Sequence, residues 1–153
     1  MTPQDFTTTR RVEFRDTDAA GIMHFSAFFL FMEEAEHEFL RSLGLSVVMD
    51  EPQQGHEKQF ITWPRVRCEC EYFSPIRFEQ VIDLRLRITR LGDKSVTYRI
   101  DFSRAGQKIA SGRMTAVCCR IRGGQAPHSI RIPDDLRARL APFVDADAAK
   151  DEA

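Results

Sequence analysis

No stretch of this sequence stays apolar for long. The longest run, Ala27–Met32, falls far short of the roughly 20 residues that a membrane-crossing helix needs. Met1–Arg10 is polar, so no secretory signal is expected there. Neither sign of charge is in excess: 22 Lys and Arg against 23 Asp and Glu leave a formal net charge of −1. That balance offers no general attraction to nucleic acid or to an anionic membrane, so an anionic ligand has to be held by a local basic cluster. The four cysteines, Cys68, Cys70, Cys118 and Cys119, lack the paired CxxC spacing of a zinc site. They read as free, packing thiols in a reducing cytoplasm. A Gly-rich phosphate loop, a GxSxG elbow and an HExxH helix are all missing, which leaves those enzyme classes without support.

What is present fits one domain. A chain of 153 residues, 42% apolar and 29% charged, suits a single hydrophobic core, here expected over residues 1–144 with a frayed tail over 145–153. Arg10–Arg15 alternates Val12 and Phe14 with charge and predicts a short strand. Ser26 can cap a helix over Ala27–Leu43 that Gly44 stops. Its positions Phe28, Phe31, Met32, Ala35, Phe39 and Leu43 recur at steps of three and four, and Phe29, Leu30 and Leu40 widen the stripe until the first half is apolar nearly all round. Such a helix is expected to be wrapped by other structure. After a polar stretch over Val47–Glu57, a loop or short helix, the period changes to two. Four runs, Lys58–Phe73, Phe78–Leu91, Lys94–Arg104 and Gln107–Ile121, are separated by turn signals and predict antiparallel strands joined by short loops. Pro133–Phe143 predicts a short closing helix. One long apolar helix and one curved antiparallel sheet can bury each other only if the sheet wraps the helix, so the expected class is α+β, a hot-dog fold.

The loop Asp16–Phe25 carries the most unusual chemistry. Asp16 and Asp18 stand two apart, ahead of Ala19, Ala20 and Gly21 and a helix N-terminus. Gly21 permits a tight or left-handed turn, and a helix start presents free N–H groups with a partial positive charge. A carboxylate beside such donors can serve acyl transfer, attacking or activating water while an amide holds the developing oxyanion. The plainer alternative is that both aspartates only shape the turn.

The run from Arg11 to Phe25 closely resembles the signature of the 4-hydroxybenzoyl-CoA thioesterase family. Arg11-Val12, Thr17-Asp18, Gly21 and Ile22 fall on its positions, and the element order agrees from about Arg10 to Arg122. The resemblance implies hydrolysis of acyl-CoA thioesters without metal or cofactor, at active sites on a homodimer interface, often within a homotetramer. It places the catalytic carboxylate on Asp18 and the oxyanion donor on the Phe25 backbone N–H, with Gly21 shaping the approach. His24 becomes a candidate substrate contact or proton carrier, or simply a capping residue, and Phe28 a candidate acyl-group contact. Met23 and Ala27 depart from common family residues.

The turn between two long strands resembles the family's basic turn for the phosphates of coenzyme A, on which Lys94 and Ser95 align and Arg90 lies nearby. The acidic helix face of Glu33, Glu34, Glu36 and Glu38 reads as the exposed or interface side of the helix, with Glu34 the fallback should Asp18 fail. A hydratase or dehydratase on the same fold, and a non-catalytic acyl-CoA-binding module, are the competing functions.

Overall fold

A computed structural model describes residues 2–51 and 58–150 of the chain. Part of the expected polar loop, residues 52–57, and the end of the tail, 151–153, lie outside the described residues. In chain order the main elements are β1 (Phe6–Arg11), α1 (Ala27–Ser42), β2 (Val48–Asp50), β3 (Gln59–Thr62), β4 (Arg65–Tyr72), β5 (Val81–Leu91), β6 (Ser95–Arg104), β7 (Gln107–Val117), β8 (Cys119–Arg122), β9 (His128–Ser129) and α2 (Asp134–Leu140). Strands pair antiparallel in a five-stranded sheet of order β1-β5-β6-β7-β4 and a four-stranded sheet of order β2-β3-β8-β9.

The helix lies on the concave face of the larger sheet, as a hot-dog fold requires. Alternation puts Ile82, Leu84, Leu86 and Ile88 of β5 and Val96, Tyr98, Ile100 and Phe102 of β6 inside, all buried. Phe28 meets Phe102 edge-on at 5.3 Å, and Phe39 meets Tyr98, Phe6 and Phe143 at 6.2, 5.6 and 4.8 Å. Between these two aromatic contacts Met32 sits against Gly112 of β7, where a Cβ would overlap its Sδ. Glycine there leaves the room that the Met32 thioether fills.

Several expectations change. The first strand lies earlier, at Phe6–Arg11, and is threonine-rich; its partner β5 supplies the apolar side. The runs over 58–73 and 107–121 each break at the same level. Pro64 has no N–H to give, and its carbonyl accepts the Val117 N–H at 3.0 Å. Opposite, the Cys118 N–H leaves the sheet for the Lys94 carbonyl at 2.7 Å. The break divides the strands between two sheets. Part of the expected loop is strand β2, and the run from Phe78 starts as strand only at Val81. Helix α1 is wrapped on one side only: Leu30 stays 59% exposed in the single chain. The segment after α2 does not fray at Asp145. Asp145 pairs with Arg87 at 3.2 Å, Ala148 is buried, and its carbonyl takes the Arg99 guanidinium at 3.0 Å. The four cysteines are free thiols.

Candidate active site

The loop between Val12 and α1 folds back on itself. Thr17 bridges Met23, the Asp18 N–H donates to the Ile22 carbonyl at 2.9 Å, and the His24 N–H donates to the Asp16 carbonyl at 2.7 Å. The Met23 N–H reaches the Ile76 carbonyl at 2.7 Å, and Ile22 bridges Arg77. The loop is thereby stitched to the segment that leads into β5.

The two aspartates have different jobs. Asp16 is buried, and its Oδ2 accepts the Glu13 N–H at 2.8 Å, closing a reciprocal box over the single turn Phe14–Asp16. It shapes the loop. Asp18 is half-buried; its Oδ1 accepts the Ala20 N–H at 2.8 Å and, more weakly, the Ile22 N–H at 3.4 Å. Among the described residues Oδ2 has no hydrogen-bond partner. Amide donors on one oxygen fix the plane of the carboxylate and leave the other oxygen open. Gly21 has φ +78°, yet a Cβ there would meet nothing within 4 Å. Glycine is demanded by the left-handed backbone, not by a close approach.

At the helix start, the Ala27 N–H returns to the His24 carbonyl at 3.0 Å, and the Ser26 N–H goes to His24 Nδ1 at 3.2 Å. Nδ1 thus acts as acceptor, which places the proton of a neutral ring on Nε2. Ser26 holds the expected cap position but not its geometry. Its backbone is helical, and its Oγ lies 2.7 Å from the same Nδ1 instead of capping an amide. No acceptor among the described residues takes the Phe25 N–H. Phe25 itself is 63% exposed, and its ring stacks on His24 at 4.4 Å. Phe28 is buried, edge-on to Tyr72 at 5.1 Å.

Arg90, Lys94 and Ser95 sit at the other end of the sheet. Asp18's loop joins the start of β5, whereas these residues flank its end, and 11 residues at about 3.3 Å each put roughly 30 Å between the two. The turn is rigidly held: the Gly92 N–H meets the Ser95 carbonyl at 2.8 Å, the Ile132 N–H meets the Asp93 carbonyl at 2.9 Å, and the Arg137 guanidinium donates to the carbonyls of Gly92 and Asp93 at 2.7 and 3.2 Å. Within one chain the two clusters do not share a site.

The helix holds a carboxylate that its acidic surroundings disguise. Glu36, expected on the exposed or interface side, is 1% exposed; it pairs with Arg65 of β4, and its Oε1 has no hydrogen-bond partner among the described residues. Burial pushes the carboxyl up to about 7, with Arg65 pulling the other way. Position 36 is four residues from both Met32 and Leu40, so helical periodicity alone marked it as interior. Glu34 is exposed and bonds Arg10 at 2.9 Å. The Tyr72 hydroxyl, which donates to the Phe25 carbonyl at 2.8 Å, had no signal in the sequence, since 47 residues separate the two.

Set beside known proteins, residues 12–140 match the model of the thioesterase-like superfamily. The chain belongs to that family. Thioester hydrolysis is its chemistry, and this chain is a thioester hydrolase. It is 34% identical over 116 residues to a 1,4-dihydroxy-2-naphthoyl-CoA hydrolase of Prochlorococcus marinus (strain MIT 9303), covering 72% of this chain and 75% of the relative. A putative esterase of Aquifex aeolicus is 29% identical over 131 residues, 86% of this chain and 94% of that protein. Among solved structures, a gentisyl-coenzyme A thioesterase superposes with TM-score 0.71 at 29% identity, over 88% of this chain and 99% of its own. A 1,4-dihydroxy-2-naphthoyl-CoA thioesterase from Synechocystis shares the fold, with TM-score 0.74 at 23% identity over 90% and 96%. Among the described residues of this thioesterase, no helix is long and apolar enough to cross a membrane, and no group of three or more His, Cys, Asp and Glu could hold a metal ion.

Proposed function

We propose that this thioesterase hydrolyses aryl- or acyl-CoA thioesters to the free acid and coenzyme A, with Asp18 as its catalytic carboxylate and the Phe25 N–H as oxyanion donor. One observation carries the reading: a single loop holds a carboxylate with one oxygen fixed by amides, and ends on an N–H at a helix start, while its other oxygen and that N–H have no partner among the described residues. In the attack, the thioester carbonyl carbon gains an oxygen and its own oxygen becomes negative. Phe25 N–H donates to that oxygen, and collapse expels the coenzyme A thiolate, which takes up a proton. The oxygen comes either from Asp18 itself, as an anhydride that water then opens, or from a water that Asp18 deprotonates. Single turnover in oxygen-18 water separates them, since only the anhydride route leaves label in the enzyme carboxylate. The relatives named for naphthoyl-CoA and gentisyl-CoA favour an aryl substrate.

A second copy of the chain completes the site in this reading. Among the described residues strand β4 is bonded on one side only, to β7, so its other edge is open for pairing. Arg90, Lys94 and Ser95 would then reach the phosphates of coenzyme A from a neighbouring copy, and His24 Nε2 would face the substrate. Thiol release over a panel of aryl- and acyl-CoA thioesters tests the whole. Asp18→Asn is expected to lower kcat about 10²–10⁴-fold with an unchanged melting temperature. Wild-type thiol release by this variant would sink the assignment.

A further inference from the structure

At the start of α1 a side chain from the sheet takes the carbonyl of the residue before the N-cap Ser26. Were the helix to begin one residue earlier, the Phe25 carbonyl would accept the Phe29 N–H. Here the Phe29 N–H goes instead to the Ser26 carbonyl at 3.2 Å, and the Phe25 carbonyl takes the Tyr72 hydroxyl at 2.8 Å. Tyr72 is the last residue of β4, the strand with the open edge. Its ring lies edge-on against Phe28, the second residue of the helix.

We propose that Tyr72 is a positioning residue for the oxyanion donor: its hydroxyl holds the Phe25 carbonyl out of the helical ladder and so fixes the Phe25 N–H where a thioester carbonyl can use it. This inference rests on the reading of Phe25 as the donor. Its physical content is a choice between two partners for one carbonyl. With the hydroxyl present, Phe25 stays in the loop and its amide orientation is set by β4. Without it, the carbonyl must find another donor, and the Phe29 N–H is the nearest in the chain. Closing that bond would turn Phe25 into the helix and swing its N–H with it. Burial, then the adjacent Cys70, pushes the Tyr72 phenol up to about 12, so it keeps its proton and donates over any ordinary assay range. Because β4 is also the strand that a second copy would pair with, edge pairing would bear on the amide through this one hydroxyl.

Tyr72→Phe keeps the ring on Phe28 and removes only the O–H. The expected result is a kcat about 10- to 100-fold lower, in line with a small misplacement of a catalytic donor, while KM stays within about threefold and the melting temperature barely moves. Placing 3,5-difluorotyrosine at position 72 restores the hydroxyl. It is expected to recover kcat at neutral pH and to add a fall in kcat at alkaline pH, where the more acidic phenol loses the proton it donates. A packing role predicts wild-type kcat for Tyr72→Phe and no new alkaline limb, and either result overturns the proposal. Asp18→Asn run in parallel separates the two readings. If Asp18→Asn is inactive while Tyr72→Phe keeps wild-type kcat, this inference alone fails; if Asp18→Asn keeps full activity, the catalytic reading of the loop fails and this inference falls with it.

Discussion

Two carboxylates at the helix, Asp18 just before it and Glu36 in its middle, have opposite surroundings. Asp18 is half-buried, bonded by two backbone amides on one oxygen and open on the other. Glu36 is enclosed, paired with one arginine, and pushed up to about 7 by burial. A displaced titration in an enzyme invites a catalytic reading, and on that criterion Glu36 would win. Geometry reverses the choice. Glu36 is closed off and pairs with Arg65, whereas Asp18 shares its loop with the Phe25 N–H, which meets no acceptor among the described residues. What singles out Asp18 as the proposed catalytic carboxylate is the donor set around it.

The sharpest break of this contrast compares the two side chains directly. Glu36→Gln is expected to keep kcat within about threefold, against the 10²–10⁴-fold loss proposed for Asp18→Asn; equal losses in steady-state thiol release would erase the distinction. Stability should show the reverse dependence. A carboxyl whose folded pKa lies above its unfolded value binds its proton more tightly in the folded state. Its stabilising contribution is therefore full below the unfolded pKa near 4.5 and is lost as pH rises through about 7. The difference in unfolding free energy between wild type and Glu36→Gln should thus fall by on the order of 2–3 kcal/mol between pH 5 and 8. Urea titrations across that range would expose a flat difference, which would mean that Glu36 is charged throughout.

Smaller effects follow from the two glycines. Gly112→Ala forces a methyl group against Met32 in the packed core and should cost about 1–3 kcal/mol, read as a lower denaturation midpoint. Gly21→Ala meets no neighbour but must hold φ +78°, at about 1–2 kcal/mol. Because that strain sits in Asp18's loop, kcat should fall together with the modest loss of stability; a midpoint shift with unchanged kcat would place Gly21 in the framework and not in the site.

Much of the fold was legible because the signals were local. Strict alternation in Ile82–Ile88 and Val96–Phe102, with turn residues between, foretold β5 and β6, and the stripe from Phe28 to Leu43 foretold α1. Threonine-rich β1 carries no such alternation and is a strand because β5 offers it an edge. Pro64 hinted at a break in its own run, but nothing local in 107–121 announced that Cys118 would leave the ladder for Lys94. In the site, Asp18 and Gly21 stood out by motif and spacing. Tyr72 did not, since its role exists only after β4 and the helix start have met. Glu36 was hidden by composition: four glutamates in one short stretch suggested a wet face, although its own register pointed inward.

The clasp of Arg137 on the carbonyls of Gly92 and Asp93 has a dynamic consequence. Together with the bonds from Cys118 to Lys94, from Ile130 to Cys118 and from Ile132 to Asp93, it makes the β5–β6 turn, the kink at Cys118 and the start of α2 depend on one another. Such a set opens as one cooperative unit, so the amides of Gly92, Cys118 and Ile132 should exchange with solvent deuterium at a common rate. The loop around Asp18 shares none of those bonds. The two ends of the sheet are therefore expected to open independently of one another.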